Sequence, residues 1–498
     1  MSTLGYCWPQ SAVVGEEIAL HLSGDGSTPL AVEVVRDGLE PTVVWTSAGV
    51  VAPEQSMPPD APEDGCGWTP TLHLTVGEWL SGLYLVLVDG RPVGAWFLVR
   101  PTTPTPDAPL LKLATNTWNA YNDVGGRNLY TGGVIVSPQR PLGSGFLSKE
   151  HALGERVVDT VDEFFTYTVE REYSLWHGMS GWAGQELRFV RWAERRGITL
   201  DYCVDADLDA ELHGDIAAGL LDGRRLVLSV GHDEYWTWGQ RDSVEGHIAG
   251  GGNVAFLSGN TAYWQVRLED DDRRMVAWKH RYREDPVMGT DRQDRVTSMW
   301  SDPLTGRPES AMTGVTFTRG GYHGVHLSAP AGARGYEVHR HGHWLFDGTD
   351  LRRGDVFGSA ARVVGYECDG TDLTLVDGLP TPATPPTPGT PEGLEVLATA
   401  PATGFDELTT PLPIEEGAEY ELVFHADRLL GDRSVEAQDR LRHGHAVMAT
   451  WTHPSGGTVM TVGCTEWAYG LEQDPTSPGG VPDPVVERIT LNALDRLG

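Results

Sequence analysis

Two short apolar runs in the sequence are each followed by polar residues that could bind a metal ion or take part in catalysis. Residues 226–230 (LVLSV) are followed after one glycine by His232 and Glu234, and residues 254–257 (VAFL) are closely followed by Asn260. Runs of this length and composition are typical of buried parallel strands. In an open α/β sheet, ligands bind beyond the carboxyl ends of the strands, so we expect these three side chains to face one crevice. An imidazole and a carboxylate two residues apart can bind a metal ion, or act as a base and the group that orients it.

The acidic residues of this segment also have a structural interpretation. A predicted helix follows the first run, and either Asp233 or Glu234 could satisfy the free backbone amides of its first turn. Capping requires only one side chain. We therefore expect Asp233 to cap the helix, and His232 and Glu234 to have a functional role.

Two further segments carry candidate residues beyond predicted strands. Residues 115–130 (TNTWNAYNDVGGRNLY) contain Tyr121 and Tyr130, although packing with a satisfied hydroxyl is the usual fate of a buried tyrosine. Residues 363–370 (VVGYECDG) place Glu367 at the end of an apolar run. The alternative for Glu367 is a structural ion pair with an arginine. By themselves, these segments leave both interpretations open.

The composition argues against several classes of partner and site. A formal net charge of −33 disfavours nucleic acid and anionic membrane surfaces, and no apolar run is long enough to span a bilayer. The five cysteines are scattered and form no CxxC pair, so neither a zinc site nor a disulfide framework is predicted. The sequence has no GxSxG elbow, and no P-loop or GxGxxG motif follows a predicted strand, which disfavours serine-hydrolase and nucleotide-binding chemistry. Because no secretion signal is visible, we expect a cytoplasmic protein.

The hydrophobic pattern divides the chain at about residue 104. Residues 1–104 contain short β-rich runs separated by turn residues, which predicts a β-sandwich-like module. In residues 105–498 strands alternate with helices, such as the helix predicted at 185–196, and this alternation is typical of a parallel sheet covered by helices. The stretch at about 300–425 is β-rich again and is interpreted as an insertion. The predicted fold class is therefore α/β.

Several of these segments resemble the large (β) subunit of N,N-dimethylformamidase and its relatives. The resemblance is carried by TWNAYNDVGGRNLY, FVRWAERRGITLDYCVDADL, VGHDEYWTWGQRDSVEGHIAGGGNVAFLSGNTAYWQVR, VVGYECDG and TEWAYGL. It spans residues 75–498 and is most specific between HDEYW and NTAYW. It implies a core sheet similar to that of the class I glutamine amidotransferases, without the cysteine of that fold.

The same resemblance implies a mononuclear ferric iron, Fe(III), bound by two tyrosines and one glutamate. On this sequence the carboxylate ligand would be Glu234, and one tyrosine ligand would be Tyr121. The second tyrosine is assigned to Tyr173, with Tyr167 and Tyr130 as the alternatives. Phenolate and carboxylate oxygens are hard anionic donors that suit ferric iron.

The resemblance also implies catalytic roles for three residues. His232 would transfer protons beside the metal, Asn260 would orient substrate or water, and Glu367 would be the second carboxylate near the metal. A ferric ion would polarise an amide carbonyl and lower the pKa of a bound water. Glu367 or His232 would then take a proton from that water and return it to the departing amine.

The expected function is iron-dependent hydrolysis of the C–N bond of a small amide or formamide. The expected partners are a small-molecule amide substrate and either a second copy of the chain or a small accessory subunit, with no nucleic acid and no membrane. The alternative is a non-catalytic binding protein on the same fold. In that case Trp236, Trp238 and Trp264 would stack on a carbohydrate or a similar small molecule.

Overall fold

The computed structural model describes residues 3–149, 161–323, 334–404, 421–471 and 482–498, with residues 161–165 described by their backbone alone. The strands in these ranges are β1 (Leu4–Trp8), β2 (Ser11–Ala12), β3 (Glu17–Ser23), β4 (Pro29–Arg36), β5 (Thr42–Val51), β6 (Leu72–Thr75), β7 (Gly82–Val88), β8 (Arg91–Val99), β9 (Leu110–Leu113), β10 (Ile135–Val136), β11 (Asp201–Val204), β12 (Leu226–His232), β13 (Tyr235–Thr237), β14 (Asn253–Gly259), β15 (Trp264–Glu269), β16 (Arg274–Val276), β17 (Thr316–Tyr322), β18 (Tyr336–Val338), β19 (Val356–Phe357), β20 (Glu367–Gly370), β21 (Leu373–Val376), β22 (Leu379–Pro382), β23 (Glu395–Thr403), β24 (His443–Thr452) and β25 (Thr458–Thr461).

The α-helices are α1 (Ala61–Asp64), α2 (Thr115–Tyr121), α3 (Val161–Glu170), α4 (Glu186–Arg195), α5 (Ala210–Leu221), α6 (Trp238–Ala249), α7 (Ser310–Thr313), α8 (Glu421–Leu430), α9 (Val435–Arg442) and α10 (Pro484–Leu497). Short 3-10 helices cover Ala206–Leu208, Lys279–Glu284, Gln293–Arg295, Trp344–Phe346 and Trp467–Gly470. Among the described helices, none is long and apolar enough to cross a membrane.

The chain forms two compact units, each assembled from several segments. Unit 1 comprises Met1–Glu150, Phe165–Arg224 and Leu268–Val276, and unit 2 comprises His151–Phe164, Arg225–Arg267 and Ala277–Gly498. The predicted domain boundary at residue 104 stays a prediction.

Unit 1 contains two sheets that share one apolar core. Their strand orders are β1-β3-β6 and β2-β8-β7-β4-β5, and buried residues from both sheets meet in the core, among them Leu22, Val32 and Phe97. The β7–β8 hairpin turns at Asp89 and Gly90, both of which have positive φ, as an Asp-Gly pair between two strands predicts. Strands β9 and β11 of this unit pair in parallel.

Unit 2 is organised around a mixed sheet. Strands β12, β14 and β25 pair in parallel, and β25, β24, β23, β17 and β20 then follow in antiparallel pairings. The seven residues of β12 are all buried, as expected for a strand covered on both faces. Helix α10 begins at Pro484, where the Asp483 side chain accepts hydrogen bonds from two backbone amides of the first turn.

The predicted fold class was wrong. The sequence predicted an α/β protein with a parallel, glutamine-amidotransferase-like core, whereas the structure is β-rich, with mixed and antiparallel sheets. The physical reason lies in the region interpreted as an insertion. Strands β17, β20 and β23 lie in that region, and they hydrogen-bond into the mixed sheet of unit 2 instead of forming a separate module.

The strands that carry the candidate residues are fixed by close packing at the end of this sheet. The register of β12 and β14 places His232 opposite Gly259. A Cβ atom at Gly259 would lie 2.5 Å from the backbone nitrogen of Thr465, so only glycine allows β14 to approach the segment after β25 this closely. Helix α6 starts with a capping box between Thr237 and Gln240.

Candidate active site

His232 lies at the end of β12 and contacts two carboxylates. Its Nε2 atom is 2.6 Å from Oε2 of Glu367 and 3.3 Å from Oε2 of Glu234. The three side chains are almost completely buried, with exposed fractions of 0%, 4% and 3% respectively. The structure therefore brings together three of the residues that the sequence predicted to act at one site.

The charge on His232 follows from these contacts. Burial by itself would lower the pKa of the imidazole, because it penalises the charged form. The negative charge of Glu367 and the hydrogen bonds to both carboxylates outweigh burial, and the pKa of His232 is raised well above its ordinary value. The two carboxylates thus favour the protonated form of the imidazole.

Asn260 joins this group from the end of β14. Its Nδ2 atom donates a hydrogen bond to Oε2 of Glu367 at 3.0 Å and lies 3.4 Å from Nε2 of His232. Because the protonated imidazole is itself a donor, the Asn260 amide uses Glu367 as its acceptor. Glu367 thus receives hydrogen bonds from two side chains, and this fixes the orientation of its carboxylate.

Lys279 is a buried cation in the same unit. Its Nζ atom donates a hydrogen bond to the Tyr235 hydroxyl at 3.0 Å and lies 5.2 Å from the centre of the Trp264 ring. Burial lowers the pKa of Lys279 to about 8, although the charges of Glu234 and Glu367 act to raise it. The residue also has a positive φ of 53°, a conformation that non-glycine residues rarely adopt and that clusters at functional sites.

Aromatic side chains line the surroundings of these polar groups. The ring of Tyr366 lies edge-on to His232 with the ring centres 5.8 Å apart. The hydroxyl of Tyr263 is 2.6 Å from Nε2 of His425 on α8, and burial raises the pKa of Tyr263 well above its ordinary value. In such an apolar setting, electrostatic interactions between the polar groups are stronger than in water.

The prediction that Asp233 caps a helix was wrong. Helix α6 begins later, at Trp238, and Thr237 is its N-cap. The Asp233 carboxylate instead accepts hydrogen bonds from the Ser229 hydroxyl at 2.5 Å and from the indole nitrogen of Trp236 at 2.9 Å. Asp233 therefore fastens the loop after β12 and leaves Glu234 oriented toward His232.

The candidate tyrosine ligands lie in unit 1. Tyr121 is the last residue of α2, and its hydroxyl oxygen accepts a 2.7 Å hydrogen bond from Tyr130, whose ring stacks on the Tyr121 ring at 4.4 Å. Tyr173 packs edge-on against Tyr167 at 6.1 Å and lies 5.0 Å from the His177 ring. Their assignment as iron ligands stays a prediction. Among the described residues, no group of three or more His, Cys, Asp and Glu side chains is arranged to hold a metal ion.

The described geometry defines a class of site: a buried acid–base centre of carboxylate, imidazole and amide at the end of a mixed sheet. The chain belongs to the family described as N,N-dimethylformamidase beta subunit-like, C-terminal, which matches residues 31–479. It is 25% identical over 236 residues to an N,N-dimethylformamidase beta subunit from Alcaligenes sp, a match that covers 42% of this chain and 29% of the relative. It is also 25% identical over 201 residues to the protein of the same name from Paracoccus aminophilus, covering 38% and 25% of the two chains. The matches thus span less than a third of each relative.

Two residues near this centre were not assigned a role from the sequence. Lys279 is one of three lysines in the chain, with Lys112 and Lys149. This scarcity of lysine was the feature of the sequence that could have drawn attention to Lys279. Asp369 follows Glu367 by two residues on β20, a spacing that places both side chains on one face of a strand. Burial of each residue depends on segments distant in the sequence, so neither could be recognised from its local pattern.

Proposed function

We propose that the chain is an amide hydrolase that cleaves the C–N bond of a small amide or formamide. The observation that carries the proposal is the buried Glu367 carboxylate, oriented by His232 and Asn260, in a member of this family. The names of both relatives point to an amide, N,N-dimethylformamide, as the kind of substrate.

The chemistry assigns the proton transfers to Glu367. Its carboxylate takes a proton from a water molecule while the water oxygen bonds to the amide carbon. The same proton is then delivered to the amide nitrogen as the C–N bond breaks, so that a carboxylic acid and an amine are released. The Asn260 amide has a second N–H besides the one that it donates to Glu367. Such a donor stabilises the oxyanion that develops on the carbonyl oxygen.

Lys279 supplies a positive charge to a site that is otherwise rich in carboxylates. Its Nζ atom is held by the Tyr235 hydroxyl, and its charge interacts with those of Glu234 and Glu367. We assign Lys279 to the stabilisation of negative charge that accumulates during hydrolysis.

We also propose that the reaction uses a ferric ion bound by Tyr121, Tyr173 and Glu234. The donor set fits this ion, because phenolate and carboxylate oxygens are hard anionic donors. The Tyr121 oxygen already acts as an acceptor, because it receives a hydrogen bond from the Tyr130 hydroxyl. When bound, the ion would polarise the amide carbonyl and lower the pKa of water.

The carbohydrate-binding alternative has less support. A ring must be open to solvent to stack on a sugar, whereas Trp236 and Trp264 are only 1% and 3% exposed. The Trp238 ring is occupied by the guanidinium groups of Arg295 and Arg307, at 4.1 and 4.9 Å from its centre.

Both relatives are named as beta subunits. We therefore also propose that the chain assembles with a small accessory subunit or with a second copy of itself. Light scattering on the purified chain, alone and after co-expression with a candidate small subunit, measures the assembly directly.

The reaction is tested with a panel of formamide, N,N-dimethylformamide and acetamide, by measuring the released acid and amine. We expect turnover of at least one formamide by the iron-loaded protein.

Iron analysis and visible spectroscopy test the metal. Stoichiometric iron with a charge-transfer band is expected, and the band should be lost in Tyr121→Phe but kept in the matched control Tyr84→Phe. Turnover of no amide would contradict the proposed activity, and iron-free active protein would contradict the proposed metal.

A further inference from the structure

The turn that carries Asn260 has an unfavourable backbone conformation. Asn260 and Ala262 both have positive φ, 49° and 54°, a region that costs free energy for residues with a Cβ atom. Two such residues within three positions persist only where surrounding contacts hold them. The contacts of this turn therefore decide where the Asn260 amide points.

Besides the bond from Asn260 to Glu367, three hydrogen bonds among the described residues hold the turn. The Ala262 amide donates to the Asp233 carbonyl at 2.9 Å, and the Thr261 and Ser258 hydroxyls are 2.9 Å apart. The third bond runs from the Thr261 amide to Oδ2 of Asp369 at 3.1 Å. Of these three, only the Asp369 bond reaches the turn from β20, the strand that begins with Glu367.

Asp369 is well suited to anchor the turn. It is 1% exposed, and its own amide bonds to the Gly463 carbonyl at 3.1 Å, which fixes β20 at this point. Its other carboxyl oxygen, Oδ1, has no hydrogen-bond partner within the described part of the chain. Within the described part of the chain, the Thr261 amide is thus the donor that meets this buried carboxyl group.

We propose that Asp369 is a positioning residue, which holds the Asn260–Ala262 turn through the Thr261 amide so that the Asn260 amide meets Glu367. The catalytic part of this inference rests on the proposed amide hydrolysis. On this account β20 sets both partners of the Asn260–Glu367 hydrogen bond, Glu367 directly and Asn260 through Asp369.

Three single variants separate this role from general stabilisation. Asp369→Asn keeps an acceptor oxygen for the Thr261 amide and should keep kcat within about threefold of the wild type. Asp369→Leu keeps the branching of the side chain but removes the acceptor, and it should lower kcat by about 10- to 100-fold, with little change in KM, as expected when a catalytic group is slightly misplaced. If Asp369→Leu does not fold, Asp369→Ala takes its place. Full activity of a folded variant without an acceptor would overturn the proposal.

A double-mutant cycle tests whether Asp369 acts through Asn260. Asn260→Ala already removes the amide that Asp369 positions. In the Asn260→Ala variant, the additional change Asp369→Leu should therefore lower kcat by less than about twofold, because effects that act through one residue are not additive. Independent, multiplying losses would overturn the proposal.

Crystal structures of Asp369→Asn and Asp369→Leu give a readout that needs no substrate. The distance from Asn260 Nδ2 to Glu367 Oε2, 3.0 Å here, should be kept in the first variant and lost in the second. An unchanged distance in both variants would overturn the positioning role even if the protein hydrolyses amides. Conversely, if no amide is hydrolysed but the distance changes as expected, the proposed function fails and the positioning role stands.

Discussion

At the scale of single residues, the site is a small group of buried charged and polar side chains that contact one another. His232 Nε2 and Asn260 Nδ2 both bond to the same oxygen of Glu367, and Oε2 of Glu234 lies 3.3 Å from the same His232 nitrogen. Buried charges are costly unless they are paired in this way. The arrangement therefore makes each of these side chains dependent on the others.

Asp369 gives a pH prediction at this scale. The pKa of its carboxyl is raised from an ordinary value of 3.8 to about 8, chiefly by burial. The charges of Glu309 and Glu367 contribute to the rise, whereas the hydrogen bond from the Thr261 amide and the charge of His232 oppose it. Between these two values the unfolded chain has lost a proton that the native protein keeps, so stability falls as the pH rises through this window. An asparagine has no such dependence. The unfolding free energy of Asp369→Asn minus that of the wild type should therefore increase from about pH 5 to about pH 8.

Urea denaturation of both proteins across this pH range measures the effect. Asp25→Asn is a suitable control, because Asp25 is exposed and its pKa is lowered by hydrogen bonds to Thr28 and Ser27. A lowered carboxyl pKa makes stability rise with pH instead of fall. Above the ordinary pKa of the group, its contribution to stability is constant. Parallel stability curves for the wild type and Asp369→Asn would contradict the prediction.

The sequence indicated part of this arrangement and missed part of it. The polar residues after two apolar runs predicted that His232, Glu234 and Asn260 would meet, and the first two contact each other while His232 and Asn260 lie side by side. Lys279 and Asp369 were not assigned, because their burial and shifted pKa values arise from neighbours that are distant in the sequence.

At the scale of elements, the end of β14 depends on a glycine. A Cβ atom at Gly259 would clash with backbone atoms of Cys464 and Thr465, which cannot move as a flexible side chain can. Gly259→Ala should therefore destabilise the protein by about 1–3 kcal/mol and reduce activity, because Asn260 follows directly. Gly246→Ala is the matched control. Gly246 lies in α6 with nothing near its Cβ position, and the change should stabilise the helix by about 0.5–1 kcal/mol.

Chemical denaturation gives both free energies, and the kcat of each variant gives the effect on the site. If Gly259→Ala were as stable and active as Gly246→Ala, the close approach of β14 to the segment after β25 would not be important for the site.

Individual elements were easier to predict than their pairing. The runs at 226–230 and 254–257 became β12 and β14, and the helix predicted at 185–196 became α4. Gly197 follows that helix with a positive φ of 72°, as a glycine after a helix end predicts. The pairings that bring β17, β20 and β23 into the unit 2 sheet were missed, because pairing between distant strands leaves no periodic signal in the local sequence.

At the scale of the whole molecule, the net charge of −33 has consequences for stability. Excess charge of one sign destabilises a compact state by self-repulsion, and salt screens that repulsion over about 10 Å at 0.1 M ionic strength. The melting temperature should therefore rise as sodium chloride is added at neutral pH. A small amide substrate is uncharged, so KM should change little over the same range.

Differential scanning calorimetry and steady-state kinetics in the same buffers check these two expectations. A melting temperature that falls with added salt would mean that local ion pairs, rather than the overall negative charge, dominate the salt dependence.

We propose that Glu367 is the base of an amide hydrolase, and the kcat/KM of Glu367→Gln for the best amide substrate tests this role. Glutamine keeps the shape of the side chain but cannot take a proton from water, so kcat/KM should fall by about 100-fold or more. The matched control Glu436→Gln, on the exposed face of α9, should behave as the wild type. Wild-type turnover by a folded Glu367→Gln would contradict the account.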